Sequence, residues 1–119
     1  MELKKTLNEI LDREFSVKSA LIIDKDGIVI EEIVRQNQKS AQELAIEYAT
    51  VMKEIIKVTD VLNLGELEEI LVSTENSVIV IRLITRHYYL ILVVSNDGNI
   101  GKAKYLAKRT SDIIKSEFV

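Results

Sequence analysis

The sequence predicts a three-layer α/β/α sandwich of the α/β (α+β) class, in the order α-β-β-α-β-β-β-α, around a five-stranded antiparallel sheet. Three observations carry this. Apolar residues recur at helical spacing in segments at the start, the middle and the end of the chain. Val78-Ile79-Val80-Ile81 and Leu90-Ile91-Leu92-Val93-Val94 are apolar at every position, so both faces of these strands are buried and helices must cover each side of the sheet. The strands are joined by short connections at Asp24-Lys25-Asp26-Gly27, Glu75-Asn76 and Arg86-His87, which suit antiparallel neighbours.

The elements follow in order. Residues 2–15 place Leu3, Leu7, Ile10, Leu11 and Phe15 on one stripe of a short surface helix. Ala20-Leu21-Ile22-Ile23 and Ile28-Val29-Ile30 then form a hairpin, and Arg35 to Lys39 is a polar connector. Ser40 and Glu43 have the spacing of a capping box, opening a long helix that runs to Leu64 and stops at Gly65. Glu68 to Thr74, Ser77 to Thr85 and Tyr88 to Ser95 make a meander, with the more polar first strand at an edge. Asn99 caps a final helix from Ile100 to about Phe118, with Ile100, Ala103, Leu106, Thr110, Ile113 and Ile114 inward. The economical arrangement sets the long helix on one sheet face and the other two on the opposite face.

Composition narrows the chemistry. The chain has 119 residues, no cysteine, no proline, no tryptophan and one histidine, His87. One domain spanning 1–119 can bury a core at this length without disulfides or a structural metal. Zinc ribbons, thiol nucleophiles and iron–sulfur clusters are excluded, and a lone imidazole supplies neither a multi-histidine metal site nor a triad. No catalytic residue, metal ligand or cofactor is assigned, and the expectation is a binding or scaffolding module rather than an enzyme. A net charge of −3 is too small to imply nucleic acid or an anionic membrane as partner. No apolar run is long enough for membrane insertion, and no secretion signal opens the chain, so the expected location is the cytoplasm.

Two motifs fail on spacing. Setting Gly27 at the sixth position of a calcium loop puts Ile22 first and Ile33 twelfth, where carboxylates are required. A tight turn with Gly27 at positive φ is expected instead. Gly98-Asn99-Ile100-Gly101-Lys102 would need Gly at 96 and Ser or Thr at 103 to close a phosphate loop, and the chain has Asn96 and Ala103. The lysines and arginine of the last helix read as a solvated face.

The long middle helix carries more apolar surface than one sheet needs. Leu44, Tyr48, Val51, Ile55, Val58 and Leu62 share a stripe expected to dock on the sheet. Beside it run Ala41, Ala45, Ala49, Met52 and Ile56, whose small side chains would let another helix approach closely. A second copy packing on this second stripe is the expected outcome, since isologous pairs are the commonest oligomers.

Several stretches taken together resemble the roadblock/dynein light chain family, including its bacterial and archaeal members of the MglB type. They are Ala20-Leu21-Ile22-Ile23-Asp24-Lys25-Asp26-Gly27-Ile28-Val29-Ile30, the alanine-bearing helix ending Leu62-Asn63-Leu64-Gly65-Glu66-Leu67, the strand Glu69 to Thr74, and Asn99-Ile100-Gly101-Lys102-Ala103. The turn at Arg86-His87 departs from relatives that often have Gly there. The resemblance implies a profilin-like, roadblock-type fold. It also implies a homodimer in which the third strand, with Glu69, Leu71 and Ser73, pairs with its symmetry mate while the second helices pack together. A small Ras-like GTPase is the implied partner, and the MglB-type proteins promote GTP hydrolysis without donating a catalytic arginine. Gln42, Ile46, Glu47, Thr50 and Lys53, on the outward part of the long helix, are the expected contacts. A structural dimer within a larger motor or membrane-tethered complex is the alternative of the same family. A small-molecule sensor domain is the other alternative; its only candidate polar lining, Tyr48, Arg82 and Tyr88, is scattered.

Overall fold

The computed structural model describes residues 2–119. The elements are α1 (Leu3–Arg13), β1 (Val17–Asp24), β2 (Val29–Val34), α2 (Gln42–Val61), β3 (Glu69–Ser73), β4 (Ser77–Thr85), β5 (Tyr88–Ser95) and α3 (Ile100–Ile114), followed by a 3-10 turn, Lys115–Phe118. The sheet order is β2-β1-β5-β4-β3, with every neighbour antiparallel. This is the expected α/β sandwich. The β1–β2 hairpin and the β3–β4–β5 meander are joined in the middle of the sheet by β1 against β5.

Alternation sorts the strand residues into two cores. On one face Val17, Ala20, Ile22, Val80, Leu90 and Leu92 pack with Leu7, Ile10 and Leu11 of α1 and with Ala103, Leu106, Ala107 and Ile114 of α3. On the other, Leu21, Ile23, Ile79, Ile81, Tyr89 and Ile91 pack beneath α2. β2 and β3 are the edges, as their polar character requires.

Local signals behave as their chemistry dictates at two turns. Asp24 accepts the amides of Asp26 and Ile28 at 2.8 and 3.0 Å on Oδ1, and Gly27 sits at φ +85°. Asn99 caps α3, its Oδ1 accepting the Lys102 amide at 3.0 Å.

Elsewhere the ends differ from expectation. α1 stops at Arg13 because Glu14 is extended, and Phe15, expected inside, is 87% exposed. The cause is Arg35, whose guanidinium donates to the carbonyls of Leu11, Glu14 and Val17 and covers the Phe15 ring at 5.4 Å. At the start of α2 no capping box forms. Ser40 donates to Glu32, and Glu32 also accepts the Ala41 amide, so the helix is anchored to β2. Its C-terminus closes on Asn63 rather than Gly65: Asn63, at φ +54°, donates to Asp60, while Leu64 donates to Thr59, a Schellman pattern. In α3 the regular helix ends at Ile114, and Ile113, expected inside, is 42% exposed while Ala107 and Ser111 take inward positions.

Candidate interaction surface

The long helix reverses the expected roles of its two apolar stripes. Ala41, Ala45, Ala49 and Met52, expected to meet a second copy, are 6%, 1%, 2% and 0% exposed and lie on the sheet of their own chain; Ile56 is half-buried beside them. The stripe expected on the sheet faces outward: Val51, Val58 and Leu62 are exposed, and Leu44, Tyr48 and Ile55 are half-buried. The reason is volume. The sheet residues beneath α2 are bulky, Leu21, Ile23, Ile79, Ile81, Tyr89 and Ile91, so close packing admits small side chains from the helix above. The surplus apolar surface inferred from the sequence is therefore real, but it is carried by the large residues.

The two flanks of α2 differ. On one, Gly27 of the β1–β2 turn lies against the Ile46 backbone: a Cβ added there would fall 2.6 Å from Ile46 Cα. Lys53 reaches the same turn, its Nζ 3.1 Å from Asp26 Oδ1. Ile46 itself is 63% exposed, and Gln42, Glu47, Thr50 and Lys53 are exposed around it. These five are thus brought onto the outer and β2-side surface of the helix. At about 100° per residue the ridge Leu44, Tyr48, Val51, Ile55, Val58, Leu62 falls on the opposite flank, toward β3. Val61 and Leu64, both exposed, extend its C-terminal end.

β3 continues this surface at the sheet edge. Ile70 and Val72 point to the α2 side, where they pack partly buried against its core. Glu69, Leu71 and Ser73 alternate onto the other face, opposite Arg82, Val80 and Val78. Glu69 is half-buried between Arg82 and Lys104, while Leu71 is 44% exposed and Ser73 is exposed. β3 is unbroken in register, whereas the other edge carries a register shift where Ile22 and Ile23 meet Glu31 and Val29. Bulges blunt an edge against further pairing, so β3 is the more receptive of the two.

Electrostatics tie the loops near this surface together. Arg86, at the β4–β5 turn, donates to Asp60 of α2 at 2.7 Å and to Glu66 at 3.0 Å. The hydrogen bond from Arg86 holds the Asp60 carboxyl below its ordinary range, and the guanidinium is correspondingly raised. Burial, then the nearby Asp24 and Asp26, push the Tyr89 phenol up. His87 is exposed in the same turn. Among the described residues there is no cluster of three or more His, Cys, Asp or Glu able to hold a metal ion, and no helix is long and apolar enough to cross a membrane. Tyr48, Arg82 and Tyr88 do not converge: Tyr48 lies on the α2 side, and Tyr88 packs with Phe118 on the other.

Sequence periodicity missed the outward role of Val51, Val58 and Leu62, whereas Leu71 was already expected at the pairing strand. The signal that finds them is the size of the facing residues rather than the stripe's own hydrophobicity. Bulky strand residues on the α2 side leave only the alanines a place beneath the helix.

Known proteins place this geometry. The structure of the gliding protein MglB from Thermus thermophilus superimposes with a TM-score of 0.84 at 22% identity, covering 94% of this chain and 84% of that one. MglB in a tetrameric arrangement gives 0.84 at 21% identity, covering 94% and 84%. A Roadblock/LC7 domain from Streptomyces avermitilis gives 0.85 at 12% identity, covering 98% of each chain. The fold is the roadblock fold, as the ordered sequence signatures imply. No curated protein matches the sequence. The family model described as "Mitogen-activated protein kinase kinase 1 interacting" matches residues 1–116, and the chain, with its roadblock fold and outward-facing helix ridge, belongs to that family.

Proposed function

We propose that this chain is a homodimeric regulator or scaffold that binds a small Ras-like GTPase, and that it acts without contributing catalytic residues. One observation carries the reading most: an apolar ridge along α2, continuous with an unbulged edge strand, lies uncovered on a molecule whose two cores are otherwise closed. Exposed apolar patches of this kind mark association surfaces. A two-fold pair joined at β3 would continue the sheet and bring the two ridges together, which satisfies the edge and the ridge in one contact. The tetrameric arrangement of MglB supports self-association as a habit of this fold.

The GTPase then docks on what the pair leaves open. Gln42, Ile46, Thr50 and Lys53 lie on the outer and β2-side surface of the helix, and Glu47 borders the ridge on its outer side, so a dimer joined at β3 leaves this surface accessible. Stimulation of hydrolysis through such a platform works by holding the GTPase's switch loops in their competent arrangement, the phosphoryl transfer being done by the GTPase's own groups. The test is titration of the purified chain against GTP-loaded and GDP-loaded Ras-like GTPases of its host. A preference for one nucleotide state, weakened by Ile46→Glu, is expected; equal or absent affinity for both states overturns the regulatory reading.

A further inference from the structure

On the face opposite α2, a groove of about 540 Å³ lies between α3, the end of β4 and the lip at Glu66, Leu67 and Glu68. Its hydrogen-bonding capacity is incompletely used. Ser111 is 3% exposed, and its hydroxyl has no hydrogen-bond partner among the described residues. The Arg82 guanidinium, 15% exposed, meets Glu68 and Glu69 at 3.6 and 3.9 Å, beyond hydrogen-bond length. Lys115 lines the groove without an ion pair among the described residues. The acids around it are already engaged: Glu66 with Arg86, Asp112 with Lys108, and Glu69 with Lys104. Arg82 and Arg86 thus each have carboxylates beside them, and Lys115 is the cation of this lining with no carboxylate within ion-pair distance among the described residues; buried donors and cations are normally satisfied.

The register of a β3 pair indicates where a carboxylate for Lys115 comes from. A two-fold axis normal to the sheet keeps each face on its own side, so a residue pairs only with one of the same alternation. The pair must then centre on Ile70, Leu71 or Val72. Centring on Val72 sets Glu69 opposite Glu75, a like-charge contact. Centring on Leu71 avoids it, spans the whole strand Glu69–Ser73 symmetrically and covers Leu71, the exposed large apolar residue of β3. In that register Glu69 faces Ser73 of the partner subunit, and the β3–β4 turn of the partner subunit, which follows Ser73 of the partner subunit and carries Glu75 of the partner subunit, comes beside the Glu66–Glu68 segment at the lip of the groove. The Glu75 carboxylate, exposed in the β3–β4 turn, has no partner among the described residues of its own chain.

We propose that the partner's Glu75 completes this groove, pairing with Lys115 beside Arg82, and that this pair of reciprocal contacts selects which chains join; the assignment rests on the β3 pairing proposed above. Two-fold symmetry makes the contact occur twice. Sedimentation equilibrium of the wild type, Glu75→Lys and Lys115→Glu in 50 mM salt tests it, with circular dichroism confirming that these exposed variants fold. Each single reversal is expected to raise the dimer Kd about tenfold or more, since attraction becomes repulsion at two sites. Mixing the two variants is expected to restore near-wild-type affinity in a heterodimer, and 0.5 M salt to shrink all these differences. A wild type that stays monomeric overturns the β3 pairing and this assignment together. A dimer indifferent to both reversals, or variants that do not recover on mixing, overturns this assignment alone.

Discussion

Gly27 shows how much one residue position can demand. Its φ of +85° disfavours any side chain, and a Cβ would collide with the backbone of Ile46 on α2. Gly27→Ala is therefore expected to cost on the order of 2 kcal/mol or more, as a lowered midpoint in urea, through backbone strain and displacement of the helix. Because the collision is with Ile46, a residue of the proposed contact surface, the same variant is also expected to weaken the proposed GTPase binding in the titration described above. A second residue sets acid sensitivity. Glu14 accepts from both the amide and the hydroxyl of Ser16, with Lys102 at 3.9 Å, and the Ser16 hydrogen bonds hold its carboxyl below the ordinary 4.5. A depressed carboxyl contributes stability that is complete above the ordinary value and is lost as pH falls through the folded one. Denaturation midpoints of Glu14→Gln are thus expected to lie below wild type at pH 7 and to converge on it toward pH 3.

At the scale of elements, the reversed stripes of α2 separate two kinds of substitution. Ala45 is 1% exposed on the sheet, so Ala45→Arg buries an uncompensated charge among close-packed residues, expected to cost about 3–5 kcal/mol. Against a typical total of roughly 5–15 kcal/mol this gives a large fall in melting temperature rather than a folded monomer. Val58 is 53% exposed, and Val58→Glu is expected to change stability by no more than about 0.5 kcal/mol while weakening the self-association proposed above at least tenfold by sizing or sedimentation. The element ends show why periodicity alone stops short. α1 was legible from its apolar spacing, but the guanidinium that terminates it belongs to Arg35, across the hairpin, and Phe15 went outside for that reason. The cap at Asn63 was hidden by the more familiar Gly65 two positions on.

For the whole molecule, layer order and strand pairing were readable because continuous apolar strands require cover on both sides, and short turns admit few pairings. The surface was less so. Which stripe of α2 faced inward depended on the bulk of Leu21, Ile81, Tyr89 and Ile91, residues separated from it in sequence and joined to it only by the fold. The groove at Ser111 and Lys115 was invisible for the same reason, since its walls come from α3, β4 and the approach to β3.

The alanine stripe has an evolutionary consequence. Since α2 spends its smallest side chains on the sheet and its largest outside, heritable changes at positions 51, 58 and 62 would redirect the pairing proposed above while the inner seam at 41, 45, 49 and 52 stays untouched. A duplicated gene could diverge into a chain that refuses its former twin and accepts a new one without repacking either core. With that pairing, a fold built this way is suited to generating mismatched sets of chains from a single ancestor.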